Sequence, residues 1–115
     1  VNTSRPIVMA SEQSISICAR KDIDNALSTS FGSAGLVLTE AELSPEFFAL
    51  RSGLAGELFQ KFTNYQLPVA LVIADFSGHG ERFAELAHEH ASHPSIRFVH
   101  SVPEALAWLQ ARPED

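Results

Sequence analysis

Arg51-Ser52-Gly53 stands at the front of an amphipathic run, where a hydroxyl and a guanidinium meet the start of a helix. The first N–H groups of a helix have no partner within it and carry the positive end of its dipole. Such a place suits a phosphoryl group or a bound anion, with Arg51 as a forked partner. The plainer reading is a capping serine beside a solvated arginine. A second group, Asp75-Phe76-Ser77-Gly78-His79-Gly80, follows the most apolar stretch of the chain. Ligands of open α/β sheets gather at the carboxyl ends of strands, which would bring Asp75 and Ser77 near Glu40 and Ser52. The two glycines would let backbone approach a ligand. Their spacing does not fit a G-x-G-x-x-G phosphate fingerprint, and a structural loop is the plainer reading.

Five histidines, His79, His88, His90, His93 and His100, raise the question of a metal. His88-Glu89-His90 has the wrong spacing, because two ligands on one helical face need i,i+4. No metal and no cofactor are expected, and His90, on an apolar stripe, reads as a hydrogen-bonded core residue. Cys18 is the single cysteine; it cannot form an internal disulfide, and its apolar setting reads as a buried thiol. No Ser-His-Asp arrangement follows from chain order, so no catalytic residue is assigned. Glu57, Lys61 and Asn64 share the polar side of the helix after Gly53 and, with Arg51, form a candidate partner-facing surface. For Glu57 and Lys61 the plainer reading is a solvated i,i+4 pair, worth a few tenths of a kcal/mol.

The elements that must position these residues are legible in hydrophobic spacing. Residues 7–9 and 15–19 read as two short strands joined by the polar Ser11-Glu12-Gln13-Ser14, an antiparallel hairpin. Asp22 opens a helix carrying Ile23, Ala26, Leu27 and Phe31, which ends at Gly32 and Gly35. Residues 36–39 form a strand covered on both faces. Ser44-Pro45-Glu46 starts a short turn with Ser44 as N-cap and Pro45 at the first helical position. The main helix places Leu54, Leu58, Phe62 and Tyr65 on one stripe, with Ala55 and Phe59 beside it. Residues 69–74 form the central strand, and Ser77 is a candidate cap for the next helix, which ends near His93-Pro94. Residues 96–99 form a further strand. Ser101 and Glu104 have the capping-box spacing for a last helix that stops at Pro113. Strands alternating with helices imply one α/β domain over residues 1–115, with a mainly parallel sheet, the antiparallel hairpin at its start, and helices packed on it.

At 115 residues the chain suits one domain able to bury a core. Its net charge is −6 with no basic cluster, which disfavours nucleic-acid binding. No apolar run approaches the roughly 20 residues of a membrane span. With no leader pattern and one cysteine, a cytoplasmic location is expected.

Phe47-Phe48, Leu50, Ser52-Gly53-Leu54-Ala55-Gly56-Glu57, Gln60-Lys61-Phe62 and Asn64-Tyr65 resemble the signature of a small bacterial family known as a domain of unknown function. That resemblance spans nearly the whole chain and implies no activity. A second one is to STAS domains, the fold of anti-sigma-factor antagonists, in which a strand and loop lead to Asp-Ser-Ser/Thr-Gly-Leu at a helix start. Here Leu36-Val37-Leu38 matches the strand and Ser52-Gly53-Leu54 the end of the motif. Leu50 and Arg51 replace its aspartate and first serine, and the loop is longer. The resemblance implies a STAS-like regulatory or protein-interaction domain with residues 43–65 as its interface toward an unidentified protein partner. Ser52 would be its phosphorylation position. The other expectation is a small-molecule or enzymatic site at the carboxyl edge of the sheet, at Glu40, Ser52, Asp75 and Ser77. A homodimer is compatible with both.

Overall fold

The computed structural model describes residues 6–90 and 93–111. Four strands, β1 (Ile7–Met9), β2 (Gly35–Thr39), β3 (Val69–Val72) and β4 (Ile96–Val99), form one sheet in the order β1-β2-β3-β4. Every pairing is parallel, with Val37 opposite Met9 and Ala70, and Leu71 opposite Phe98. The strand expected at residues 69–74 is β3, shorter at Val69–Val72, and it is interior as its unbroken apolar character requires.

The crossovers carry α1 (Arg20–Ser30), α2 (Pro45–Phe48), α3 (Leu54–Asn64) and α4 (Glu81–Glu89), and α5 (Val102–Ala111) follows β4. Crossovers of one hand between neighbouring strands in sequential order put their helices on one face. Accordingly Ile23 and Leu27, Leu58 and Phe62, and Phe83 and Ala87 pack with Leu36, Leu38, Leu71 and Ile96 in the main core. The alternate strand residues Val37 and Ala70 point the other way, onto Ala105 and Leu109 of α5. Arg97, on that second face, lays its guanidinium over the Trp108 ring at 5.2 Å.

The antiparallel hairpin is absent. After β1 the chain enters a 3-10 turn at Ala10–Glu12, and Ser14 takes a positive φ of 57°. That sends residues 15–19 across the core rather than back along β1. Ile15 and Ile17 are both fully buried while Ser16 and Cys18 face outward, so the strand-like alternation is real. Its only pairing is one parallel bridge, Ile17 to Leu43. Cys18 is correspondingly exposed, not buried in a strand.

Several local expectations hold. Ser44 accepts the Phe47 N–H at 3.3 Å with Pro45 at the first helical position. The stripe Leu54, Ala55, Leu58, Phe59 and Phe62 is buried, although Tyr65 lies beyond it at 58 % exposure. Tyr65 instead meets Phe31, also exposed, edge to face. Asp22 sits inside the first turn of α1 and reaches back to accept the N–H groups of Cys18 and Ala19, both at 2.9 Å. His90 is half-buried, hydrogen-bonded to the Leu86 carbonyl and packed on Phe59. Val1 to Arg5 and Pro113 lie outside the described residues.

Candidate functional site

Parallel pairing brings all four strand carboxyl ends to one edge, and the polar residues that leave them meet there. Glu40 follows β2 directly. Its Oε1 accepts the Ala74 N–H at 3.3 Å and its Oε2 meets His79 Nε2 at 2.7 Å, so one carboxylate ties the end of β2 to the loop after β3. The imidazole bond, followed by the Ala74 N–H, holds the Glu40 carboxyl below the usual glutamate range, against an opposing push from burial. A carboxylate only accepts, so a neutral His79 carries its proton on Nε2, leaving Nδ1 an acceptor. Nδ1 has no partner among the described residues, and the His79 side chain is 25 % exposed.

Phe48 fixes the plane of that ring. The two rings stack with centroids 3.7 Å apart and planes within 4°, and Phe83 of α4 closes edge-on against both. The short helix α2 delivers Phe48, because its cap at Ser44 and the burial of Phe47 leave the next side chain facing the sheet edge. Beside this stack lies an open cleft of about 780 Å³, lined by Phe48, Arg51, His79, Gly80, Glu81 and Arg82 among others. The Gly80 φ of 104° makes the turn from the loop into α4.

A second imidazole marks the neighbouring strand end. His100, just past β4, directs Nδ1 to the carbonyls of Ile73 and Ala74 at 3.1 and 3.0 Å, and its ring stacks on Phe76. Both acceptors are carbonyls, so Nδ1 bears the proton there. Glu40 and His100 thus both hold Ala74, one through its N–H and the other through its carbonyl.

The residues expected from the sequence divide sharply. Arg51 lines the cleft, and Glu40 stands behind its imidazole wall. Asp75 and Ser77 close on each other instead: Asp75 Oδ1 accepts the Ser77 N–H at 3.1 Å and its hydroxyl at 2.8 Å, capping the 3-10 turn Phe76–His79. Those bonds hold the Asp75 carboxyl below its ordinary value. Ser77 is therefore not the cap of α4, which starts after Gly80. Ser52 is half-buried, donates its hydroxyl to the Glu46 carbonyl at 2.6 Å and accepts the Leu54 N–H at 3.2 Å. The N-cap of α3 is Gly53, in the left-handed region at φ 81°. Glu57 and Lys61 bind α1: Glu57 pairs with Arg20, and Lys61 reaches Asp24 at 2.5 Å and Glu57 at 3.4 Å. Asn64 is exposed at the far end of α3.

Among the site residues His100 was missed, and His79 was named only as part of the loop at residues 75–80. The signal was present, since His79 and His100 each follow an apolar strand within a few residues, where the carboxyl-edge rule applies. Weighing the histidines only as metal ligands hid it. No group of three or more potential metal-ligating side chains occurs among the described residues, and no helix there is long and apolar enough to cross a membrane.

No curated protein and no solved structure matched the chain. The family described as a domain of unknown function, DUF4180, matches residues 2–109, and the chain belongs to that family.

Proposed function

We propose that the protein binds a small molecule in the cleft at the carboxyl edge of its sheet, between Phe48, His79 and Arg51. The observation that carries this reading is the Glu40–His79 pair. Its outer nitrogen has no partner among the described residues, and its ring is stacked on an aromatic wall. An oriented acceptor in a concave, partly apolar setting is what small-molecule sites are built from. It also has the parts of a general base, an imidazole oriented by a carboxylate, although nothing in the described residues supplies a nucleophile beside it.

The alternative, a STAS-like regulatory interface on residues 43–65, has less support. Its proposed contact residues Glu57 and Lys61 are engaged with α1, and the Ser52 hydroxyl holds the turn before α3. The antiparallel opening expected with that layout is replaced by an all-parallel sheet. What favours it is Ser52-Gly53-Leu54 at a helix start and the exposure of Arg51.

Thermal shift against a library of small metabolites, with wild type and Phe48→Ala/His79→Ala, tests the two readings. Stabilisation of wild type alone supports the cleft. Equal stabilisation of both proteins, or of neither, contradicts it.

A further inference from the structure

We propose that the ligand of this cleft is a small organic anion, a carboxylate or a phosphate monoester, that carries a hydroxyl near its acidic group. The inference rests on the small-molecule reading above and names what the site selects. Arg51, before α3, and Arg82, in the first turn of α4, line the same cleft from opposite elements. Both are exposed, and neither forms an ion pair among the described residues. In a chain of net charge −6 this is an unusual place to leave two guanidinium groups uncompensated. Arg20, by contrast, is paired with Glu57.

Glu81 is the carboxylate that lines the cleft, and Glu40 stands behind it through its bond to His79. Glu40 is engaged by His79 and by the Ala74 N–H, and its side chain is 41 % exposed to water. Glu81 stands at the rim and opposes an anion. The guanidinium forks of Arg51 and Arg82 match planar carboxylate or phosphate oxygens. Nδ1 of neutral His79, an acceptor between them and Phe48, needs a donor from the ligand, which an adjacent hydroxyl supplies. A simple anion with no hydroxyl would leave that nitrogen unmatched, and a neutral polyol would leave both arginines unmatched.

The test is calorimetric titration of the full chain with malate and with glycerol phosphate, against succinate and glycerol as controls, and with cleft amide shifts followed by NMR. Saturable binding of malate or glycerol phosphate, with a Kd below about 10 mM, is expected. It should weaken about tenfold or more in Arg51→Ala/Arg82→Ala, where two charge-assisted contacts are lost. Glu81→Gln should tighten it. Malate bound and phosphate not assigns a carboxylate; the reverse assigns a phosphate. Equal binding of malate and succinate overturns the role given to the hydroxyl. Glycerol or neutral fragments shifting the cleft amides, with both anions silent, overturn the anion inference but leave the small-molecule reading standing. If no probe and no neutral fragment moves those amides, both fail together.

Discussion

The carboxylate of Glu40 and the imidazole of His79 lie 39 residues apart in sequence and 2.7 Å apart in space. Because Glu40 also accepts the Ala74 N–H, the pair joins the end of β2, the end of β3 and the loop that leads to α4. Phe48 then stacks on the imidazole, so residues from two crossover segments, β2 to β3 and β3 to β4, share one small cluster.

If Glu40 sets the His79 tautomer, nitrogen NMR of the imidazole should show the Nε2–H form dominant in wild type. In Glu40→Gln the tautomers should mix, because the amide can donate as well as accept. The stability cost should be about 1 kcal/mol or less, as the partly exposed pair is screened by water. The Glu40 carboxyl is held below its ordinary value, so its contribution is present above about pH 4.5 and is lost as pH falls through the lowered value. The acid limb of a stability profile should therefore flatten in Glu40→Gln.

His93 gives a second, separable pH effect. Its Nδ1 accepts the N–H groups of Ser95 and Ile96 at 3.0 and 3.1 Å, covering the start of the edge strand β4. Burial, aided by neighbouring His90, holds its basicity below the ordinary 6.5. The neutral form is therefore the folded form. The stability it provides is complete above about pH 6.5 and is lost as pH falls toward the lowered value. Melting temperatures followed from about pH 7.5 to about pH 5 should decline in wild type. In His93→Ala they should start lower and decline less.

Much of the fold could be read from spacing, and the failures have specific causes. Leu58 and Phe62 at helical period, and the unbroken apolar run from Val69, specify α3 and an interior strand because burial there is decided by pattern alone. Ile15 and Ile17 show the same period as a strand, yet alternation reports only which side chains are buried, not what the backbone pairs with. The turn at Ser14 decided that, and its positive φ leaves no mark on a serine. At the site, Arg51 could be picked out from its place before a helix. The Glu40–His79–Phe48 cluster could not, since its members meet only through strand order and a loop geometry that no local spacing encodes.

The polar face joining α1 and α3 should prove structural. Lys61→Met breaks contacts to Asp24 and Glu57, and exposed pairs of this kind are worth about 0.2–1 kcal/mol each. Chemical denaturation by urea should register a loss of that order, vanishing at high salt, with ligand stabilisation of the cleft unchanged.

Gly35 is held to its identity by contact with the second face of the sheet. An added Cβ would stand 2.5 Å from a Leu109 methyl and 3.0 Å from the Pro68 carbonyl oxygen. The leucine can yield but the backbone of the neighbouring segment cannot, so Gly35→Ala should cost about 1–3 kcal/mol through overpacking together with its φ of 155°. Urea unfolding checks it, and Gly32→Ala, where no atom lies within 4 Å but φ is 82°, reports the cost of backbone strain without contact.

If the carboxyl-edge cleft is the working surface, amide-shift mapping of the uniformly labelled protein against a small-molecule fragment set will find it. Saturable shifts are expected at Ala49, Arg51, His79, Gly80 and Glu81, lost in Phe48→Ala/His79→Ala. Shifts centred on the outer faces of α1 and α3, or a fragment set that leaves the cleft amides unmoved, would contradict it.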